Sequence, residues 1–298
     1  MTTAAIKTLK TPKTGWTYAP GDTIVAGLRA WAALGGGRRC ETWLAWSTVR
    51  WMPVVVKLPR PDLVDDPQTR ADLAQEVEMT GGLAHPGVQR LYAAHLDAPL
   101  PYLMSEYVEG PTLDASLTSD GPLDPEEAVL LAMQLAAALR YLHGRDVVHL
   151  DVKPSNVCLR DGRPVLIDFG IARRAGTPRR PGAPRGSAPY MAPEQCRDEP
   201  AAPATDLFAL GATLFEALTG ERAFHARRLA AEWLYPQLAG VLPRALPGAL
   251  GALVGRLLRP EPGNRPAGAA AVLRELDAAM PVDAAPLWPD WLEFGDFA

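Results

Sequence analysis

The stretch Val148-His149-Leu150-Asp151-Val152-Lys153-Pro154-Ser155-Asn156 decides how the rest of this 298-residue chain is read. It puts a carboxylate, an ammonium and a side-chain amide within a few positions of one another. A carboxylate can accept the proton of an attacking hydroxyl. An amide oxygen is a hard ligand that suits magnesium. An ammonium is a compact point charge that meets phosphate oxygens, a task for which arginine is not an equivalent. Composition sharpens the reading. Of the 30 basic residues only Lys7, Lys10, Lys13, Lys57 and Lys153 are lysine, and Asn156 and Asn264 are the only asparagines. The chain uses arginine almost wherever a cation is needed, so the scarce types mark positions where arginine does not serve.

Toward the N-terminus from this loop, Val54-Val55-Val56-Lys57 reads as a strand ending in the other lysine outside the first 13 residues. Before it, Leu34-Gly35-Gly36-Gly37-Arg38-Arg39-Cys40-Glu41-Thr42 joins two strand-like runs. Its glycines fit a hairpin turn, and they equally let a backbone approach a phosphate and expose amide N–H groups. Toward the C-terminus, Leu166-Ile167-Asp168-Phe169-Gly170 is an apolar strand that delivers one carboxylate to its end.

The chain divides near residues 107–111. Before that point the runs Thr23–Leu34, Cys40–Ser47, Trp51–Leu58, Val88–His95 and Tyr102–Tyr107 alternate as strands do, and residues 68–83 space Leu73, Val77 and Met79 as one helix. His85-Pro86-Gly87 is a turn. After that point helices dominate. Pro125–His143 opens with Asp124 as a candidate N-cap and Pro125 at the first helical position. Short strand pairs at Val157–Arg160 and Pro164–Ile167 interrupt the loop 147–168. Further helices are expected over Thr205–Leu218, Ala226–Leu238, Pro247–Leu258 and Ala267–Ala279, and residues 171–190 carry too much Arg, Pro and Gly for regular structure. The fold class is therefore α+β, a small antiparallel sheet with one helix followed by a larger helical part. Residues 1–20 read as a flexible basic arm, 21–107 and 112–279 as two lobes, and 280–298 as an acidic, aromatic tail.

Pro and Gly together stay below the level of low complexity, and an apolar content of 48% excludes general disorder. A net charge of −4 gives no bias toward nucleic acid. Cys40, Cys158 and Cys196 are too scattered for a disulfide framework or a zinc site. No apolar run is long enough to span a membrane and no secretory signal opens the chain, so a cytoplasmic location is expected.

Taken in order, these motifs resemble the signature of protein kinases, specifically the serine/threonine class found in bacteria. Glycine loop, strand lysine, His149-Leu150-Asp151 with Asn156, Asp168-Phe169-Gly170 and Ala192-Pro193-Glu194 follow one another at sensible spacing. Gly186–Gln195, Thr205–Gly211 and Asn264-Arg265-Pro266 extend the likeness over residues 20–279. The resemblance implies the bilobal kinase fold, with ATP and Mg2+ as cofactors. It implies that Leu34, Gly35, Gly37 and Thr42 form the loop over the phosphates. Lys57 reaches the α- and β-phosphates and pairs with Glu76, with Glu78 as the second choice on another helical face. Val55 packs on adenine, the backbone of Glu106 and Val108 bonds its edge, and Ser105 is a small gatekeeper that implies an open back pocket. Asp151 is the catalytic base, Lys153 neutralises the transferred phosphoryl group, and Asn156 and Asp168 hold magnesium. Glu194 forms a buried structural pair with Arg265.

Three features depart from the pattern. Cys40 stands at the third loop glycine, where it stiffens the loop and offers an oxidisable thiol. Thr42 stands where valine is usual. Leu150 replaces the arginine that in many kinases receives an activation-loop phosphate, which implies activity independent of phosphorylation at Thr177, Ser187 or Tyr190. The expected function is phosphoryl transfer from ATP to a protein serine or threonine. The alternatives are a pseudokinase scaffold that binds nucleotide and a small-molecule phosphotransferase. Five arginines and no acid lie in 173–185, a solvated loop or an attraction for an acidic substrate, a partner or the tail Leu287–Phe294. Without a sensor module in the sequence, a separate sensor or regulator protein is expected.

Overall fold

The computed structural model describes residues 15–178, 186–225, 227–229 and 232–279. Its first part is a six-stranded sheet built from β1 (Thr23–Val25), β2 (Leu28–Gly36), β3 (Cys40–Ser47) and β4 (Met52–Pro59), with α1 (Pro67–Thr80) before β5 (Leu91–His95) and β6 (Tyr102–Glu106). The spatial order is β1-β2-β3-β4-β6-β5, antiparallel throughout. Alternation along the strands sorts the faces. Trp43, Ala45, Val54, Val56 and Leu58 turn to one side and join Ile24, Leu28, Ala30 and Met104 in an apolar cluster. Thr42, Val55, Lys57 and Ser105 occupy the alternate positions and so share the other side. Helix α1 starts where the Asp66 carboxylate accepts the Thr69 N–H and Pro67 fills the first helical position, and it ends at Gly81.

The second part carries α2 (Leu113–Ser119), α3 (Pro125–His143), β7 (Val147–Val148), β8 (Val157–Arg160), β9 (Arg163–Leu166) and β10 (Arg173–Arg174). It continues with α4 (Pro193–Cys196), α5 (Pro203–Thr219), β11 (Arg227–Leu229), β12 (Glu232–Leu234), α6 (Gly248–Leu257) and α7 (Ala269–Ala279). The capping box of Asp124 and Glu127 opens α3 where the sequence places it. Helix α5 is the buried centre of this lobe. A Cβ added at Gly211 would lie 2.7 Å from the Leu257 Cβ, so glycine is what lets α5 and α6 approach.

Four local readings change. The run Thr23–Leu34 is two strands, split at Gly27, which turns with φ +84°. Leu113–Ser119 is a helix that the sequence reading passes over, capped by the Thr112 hydroxyl. Arg173–Arg174, expected irregular, pairs with β7. The helix expected over Ala226–Leu238 does not form. In its place β11 pairs with β12, followed by a 3-10 turn at Pro236–Ala239. The apolar spacing there fits a helix, but Pro236 forces Tyr235 into an extended conformation, and Trp233 and Tyr235 favour a pleated backbone. Of the expected arm, Trp16 and Tyr18 are packed against the N-lobe cluster. Residues 1–14, the rest of that arm, and the tail 280–298 lie outside the described residues, as do Arg179, Arg180 and Arg185.

Candidate active site

The cleft between the lobes gathers the motif residues. Strand β4 delivers Lys57, whose ammonium lies 2.8 Å from Glu76 on α1 and 2.8 Å from Asp168 beyond β9. Glu78, the second choice, points elsewhere and pairs with Arg174 of β10 at 3.0 Å. Burial opposes the Lys57 charge, but Asp168 and Glu76 outweigh it and hold the lysine pKa above its usual range. Lys57 in turn keeps the Asp168 carboxyl well below the usual carboxylate range, while burial pushes Glu76 up. Phe169 is buried against His149, edge to face at 4.7 Å, which fixes the turn that presents Asp168 with φ +62°.

The catalytic-loop residues form one hydrogen-bonded group. Asp151 Oδ2 accepts from the Lys153 ammonium at 2.6 Å and from the Asn156 amide at 2.9 Å. Asp151 Oδ1 accepts the Ser187 backbone N–H at 3.0 Å, and the Lys153 ammonium also donates to the Ser187 hydroxyl at 2.6 Å. Asn156 spends its amide N–H groups on Asp151. That leaves the Asn156 Oδ1 and the second Asp168 oxygen as hard ligands, enough for magnesium, which takes one or two protein ligands and completes its shell with water and phosphate. Beneath this loop the fully buried Asp206 accepts the backbone N–H groups of His149 and Leu150, both at 2.8 Å. Leu150 has φ +68°, which costs a non-glycine residue about 1 kcal/mol or more, and Asp206 supplies the bonds that hold it.

The glycine segment is the end of the β2–β3 hairpin. Leu34 and Gly35 are on β2, Gly35 lies opposite Thr42, and Thr42 lies opposite Lys57. The Gly37 N–H, expected to face phosphate, donates to the Cys40 carbonyl at 2.8 Å and closes the turn. Burial pushes the Cys40 thiol up to about 11, and Lys57 only partly opposes this. The thiol is therefore protonated at neutral pH, which removes the basis for an easily oxidised loop cysteine. Val55 pairs with Ser105 across β4 and β6. Past β6, Glu106 is braced three ways. Its carboxylate meets Arg160 at 2.6 Å, its carbonyl accepts from the Gln89 amide at 2.8 Å, and its N–H donates to the Arg90 carbonyl at 2.8 Å. Val108 is buried with Cys158 and Val165 in a small apolar floor.

A model of the protein kinase domain matches residues 29–274. The chain belongs to the protein kinase family. The kinase domain is 35% identical over 200 residues to serine/threonine-protein kinase PknB of Mycolicibacterium smegmatis, covering 64% of this chain and 32% of that protein. It is 34% identical over 194 residues to serine/threonine-protein kinase PrkC of Bacillus subtilis, covering 64% and 30%. Against a probable serine/threonine-protein kinase of Streptomyces coelicolor the figures are 36% over 195 residues, covering 62% and 29%. The match spans about a third of the length of these relatives. The two parts described above are the N- and C-lobes of the bilobal kinase fold. Among the described residues no helix is long and apolar enough to cross a membrane.

The departures now have surroundings. Leu150 is buried with Val148 and Ala201, and Ile171 and Ala175 of the activation segment pack on this cluster. That segment is also paired to β7, and it is bonded through the Ala175 N–H to the Asp146 carbonyl and the Gly176 N–H to the Ala201 carbonyl. Tyr190 is buried and donates to Glu216, and Ser187 belongs to the Asp151 group. Of the three expected acceptors, Thr177 alone stands apart from such contacts. Glu194 and Arg265 pair at 2.7 and 2.9 Å, buried as expected. Ser187, Asp206, Gln89 and Cys158 escaped the sequence reading of the site. Ser187 is expected as a phosphate acceptor, and the signal for its other role is its place in the motif Gly186–Gln195, just before Ala192-Pro193-Glu194.

Proposed function

We propose that this domain transfers the γ-phosphoryl group of ATP to a serine or threonine hydroxyl of a protein. The observation that carries the reading is the Asp151 group. A carboxylate oriented by Lys153, Asn156 and the Ser187 N–H is what a base needs to receive a hydroxyl proton, while Lys153 sits ready to offset phosphoryl charge. Lys57, held by Glu76, binds the α- and β-phosphates, and the hairpin Leu34, Gly35, Gly37 and Thr42 covers them. Adenine lies between Val55 and the floor of Val108 and Cys158, bonded by the Glu106 carbonyl and the Val108 backbone, with Ser105 leaving space behind. Asn156 and Asp168 hold magnesium, which neutralises phosphate charge.

The complete set of ionisable residues disfavours a pseudokinase. The buried Glu194–Arg265 pair, part of the protein-kinase motif set that small-molecule phosphotransferases typically lack, favours a protein over a small-molecule acceptor. Five arginines and no acid within 173–185 support an acceptor with acidic neighbours. A cytoplasmic location fits the three free cysteines, and regulation through a separate protein remains part of this reading.

Labelled ATP, supplied to the chain alone and with one basic and one acidic generic protein, tests this reading. Label should reach protein serine or threonine and be lost in Asp151→Ala. Nucleotide binding without transfer in the unaltered chain would overturn the assignment in favour of a scaffold. Transfer only to small hydroxyl compounds would overturn it in favour of the other phosphotransferase.

A further inference from the structure

Glu41 is 1% exposed. It follows Cys40 at the start of β3, opposite Gly36 of the glycine hairpin and opposite Leu58, the neighbour of Lys57. A carboxylate buried this deeply needs its oxygens satisfied. The Trp16 backbone N–H donates to both oxygens at 3.3 and 3.2 Å, and the Trp43 indole donates to Oε2 at 3.2 Å. Trp16 reaches further. Its indole N–H donates to the Pro59 carbonyl at 2.8 Å, and its ring stacks on Tyr18 at 5.5 Å. Tyr18 in turn meets Trp43 edge-on at 5.3 Å. The segment at 16–18 thus straps the start of β3 to the end of β4. Those two strands carry the glycine hairpin and Lys57.

The other side of the hairpin is fixed as well. Arg39 bonds Asp66 at 2.5 Å and Thr69 at 3.2 Å, both at the start of α1. The turn at 37–39 therefore hangs between two clamps, and the backbone at 40–42 cannot shift without leaving a buried carboxylate unsatisfied. Trp16 lies before residue 29, where the match to the kinase domain begins.

We propose that Trp16 and Glu41 are positioning residues for nucleotide: the strap sets where the glycine hairpin rests and so sets the affinity for MgATP. This rests on the kinase reading above. The test uses the full chain with Trp16→Ala, Trp16→Phe and Glu41→Gln, and Trp51→Ala as a control at an exposed indole. MgADP affinity is read by titration calorimetry, KM for ATP and kcat by labelled transfer, and folding by thermal melting. Trp16→Ala releases the indole bond and the stack. Glu41→Gln turns an amide donor toward N–H donors.

Both variants should raise the MgADP Kd and the KM for ATP about three- to tenfold, with kcat at saturating ATP within about twofold of wild type. Trp16→Phe, which keeps a stacking ring, should rise less than Trp16→Ala, and Trp51→Ala should not move. Unchanged Kd and KM in a folded Trp16→Ala chain would overturn the proposal, as would a fall in kcat alone. Where Trp16→Ala melts below the assay temperature, the nearly isosteric Glu41→Gln decides. A chain that binds MgADP but transfers nothing would sink the kinase reading, while Kd would still judge the strap.

Discussion

Replacing Lys57 by arginine keeps the charge and tests whether the site needs a point cation. The ammonium has carboxylate oxygens at 2.8 Å on two sides, from Glu76 and Asp168. A third side is closed too, since a Cβ built at Gly170 would lie 2.8 Å from it. A guanidinium is planar and branched and spreads its charge over several nitrogens. It cannot sit at the same point without pushing Glu76 or Asp168 aside. Either displacement moves a group that binds phosphate or magnesium. Losing one such preorganised electrostatic contact costs about 100- to 1000-fold in rate, roughly 2.7–4 kcal/mol of transition-state stabilisation. Initial rates of labelled transfer at saturating and limiting ATP measure it, with thermal melting as the check on folding. Lys7→Arg, Lys10→Arg and Lys13→Arg form the comparison series, because they change the same side chain outside the motifs. A folded Lys57→Arg protein that keeps more than about a tenth of the wild-type kcat/KM would refute the reasoning.

Arg265→Ala should remove about 3–5 kcal/mol of stability, because it leaves the buried Glu194 carboxylate without its cation. Urea unfolding reads this as a lowered midpoint, and a midpoint close to wild type would contradict it. Iodoacetamide should label Cys40 about a hundredfold more slowly than an ordinary cysteine at pH 8, since the thiol is pushed up to about 11. The rate should climb with pH toward that value, and labelling at the free-thiol rate at pH 8, mapped by peptide, would refute it. The folded chain also holds this proton longer than the unfolded chain, so the contribution to stability is full below the usual cysteine pKa and fades as pH rises toward 11. Phosphatase-treated protein and Thr177→Ala should both keep most of their activity. Loss of activity on phosphatase treatment would contradict this. Ser187→Ala is no test of that point, because Ser187 touches Asp151 and Lys153 directly.

The residues that were legible in the sequence are those whose chemistry admits no substitute. Lys57, Lys153 and Asn156 stood out against a chain that otherwise avoids lysine and asparagine, and their spacing alone placed them in strand and loop. Glu76 was separable from Glu78 by helical face, because Leu73 and Val77 mark which side of α1 packs inward. The capping box of α3 was legible for a similar reason, since its partners are three residues apart. What stayed hidden depends on contacts far along the chain. Trp16 meets Glu41 across 25 residues, Ser187 meets Asp151 across 36, and Asp206 meets Leu150 across 56. The expected helix at 226–238 failed differently. Its apolar spacing was real, but backbone restrictions at Pro236 and strand pairing overrode it.

Leu150 also decides where control can enter. An arginine at that position would leave the activation segment waiting for a phosphate to dock it. Here Leu150 is buried with Val148 and Ala201 in the apolar cluster on which Ile171 and Ala175 pack, and full burial of a leucine is worth about 1.5–3 kcal/mol. The tie from this segment to α1, Arg174 with Glu78, is half exposed and contributes at most about 1 kcal/mol. The apolar cluster is therefore the stronger of the two, and it holds no charge for a phosphate to pair with. Glu76 is paired to Lys57, and the described start of the activation segment is paired to β7. The glycine hairpin differs, because its resting position depends on Trp16, outside the matched kinase domain. A regulator that pulled on the preceding segment would act on nucleotide affinity without touching the catalytic loop. Activity set in this way should change with ATP concentration, whereas activity set at the activation segment should not.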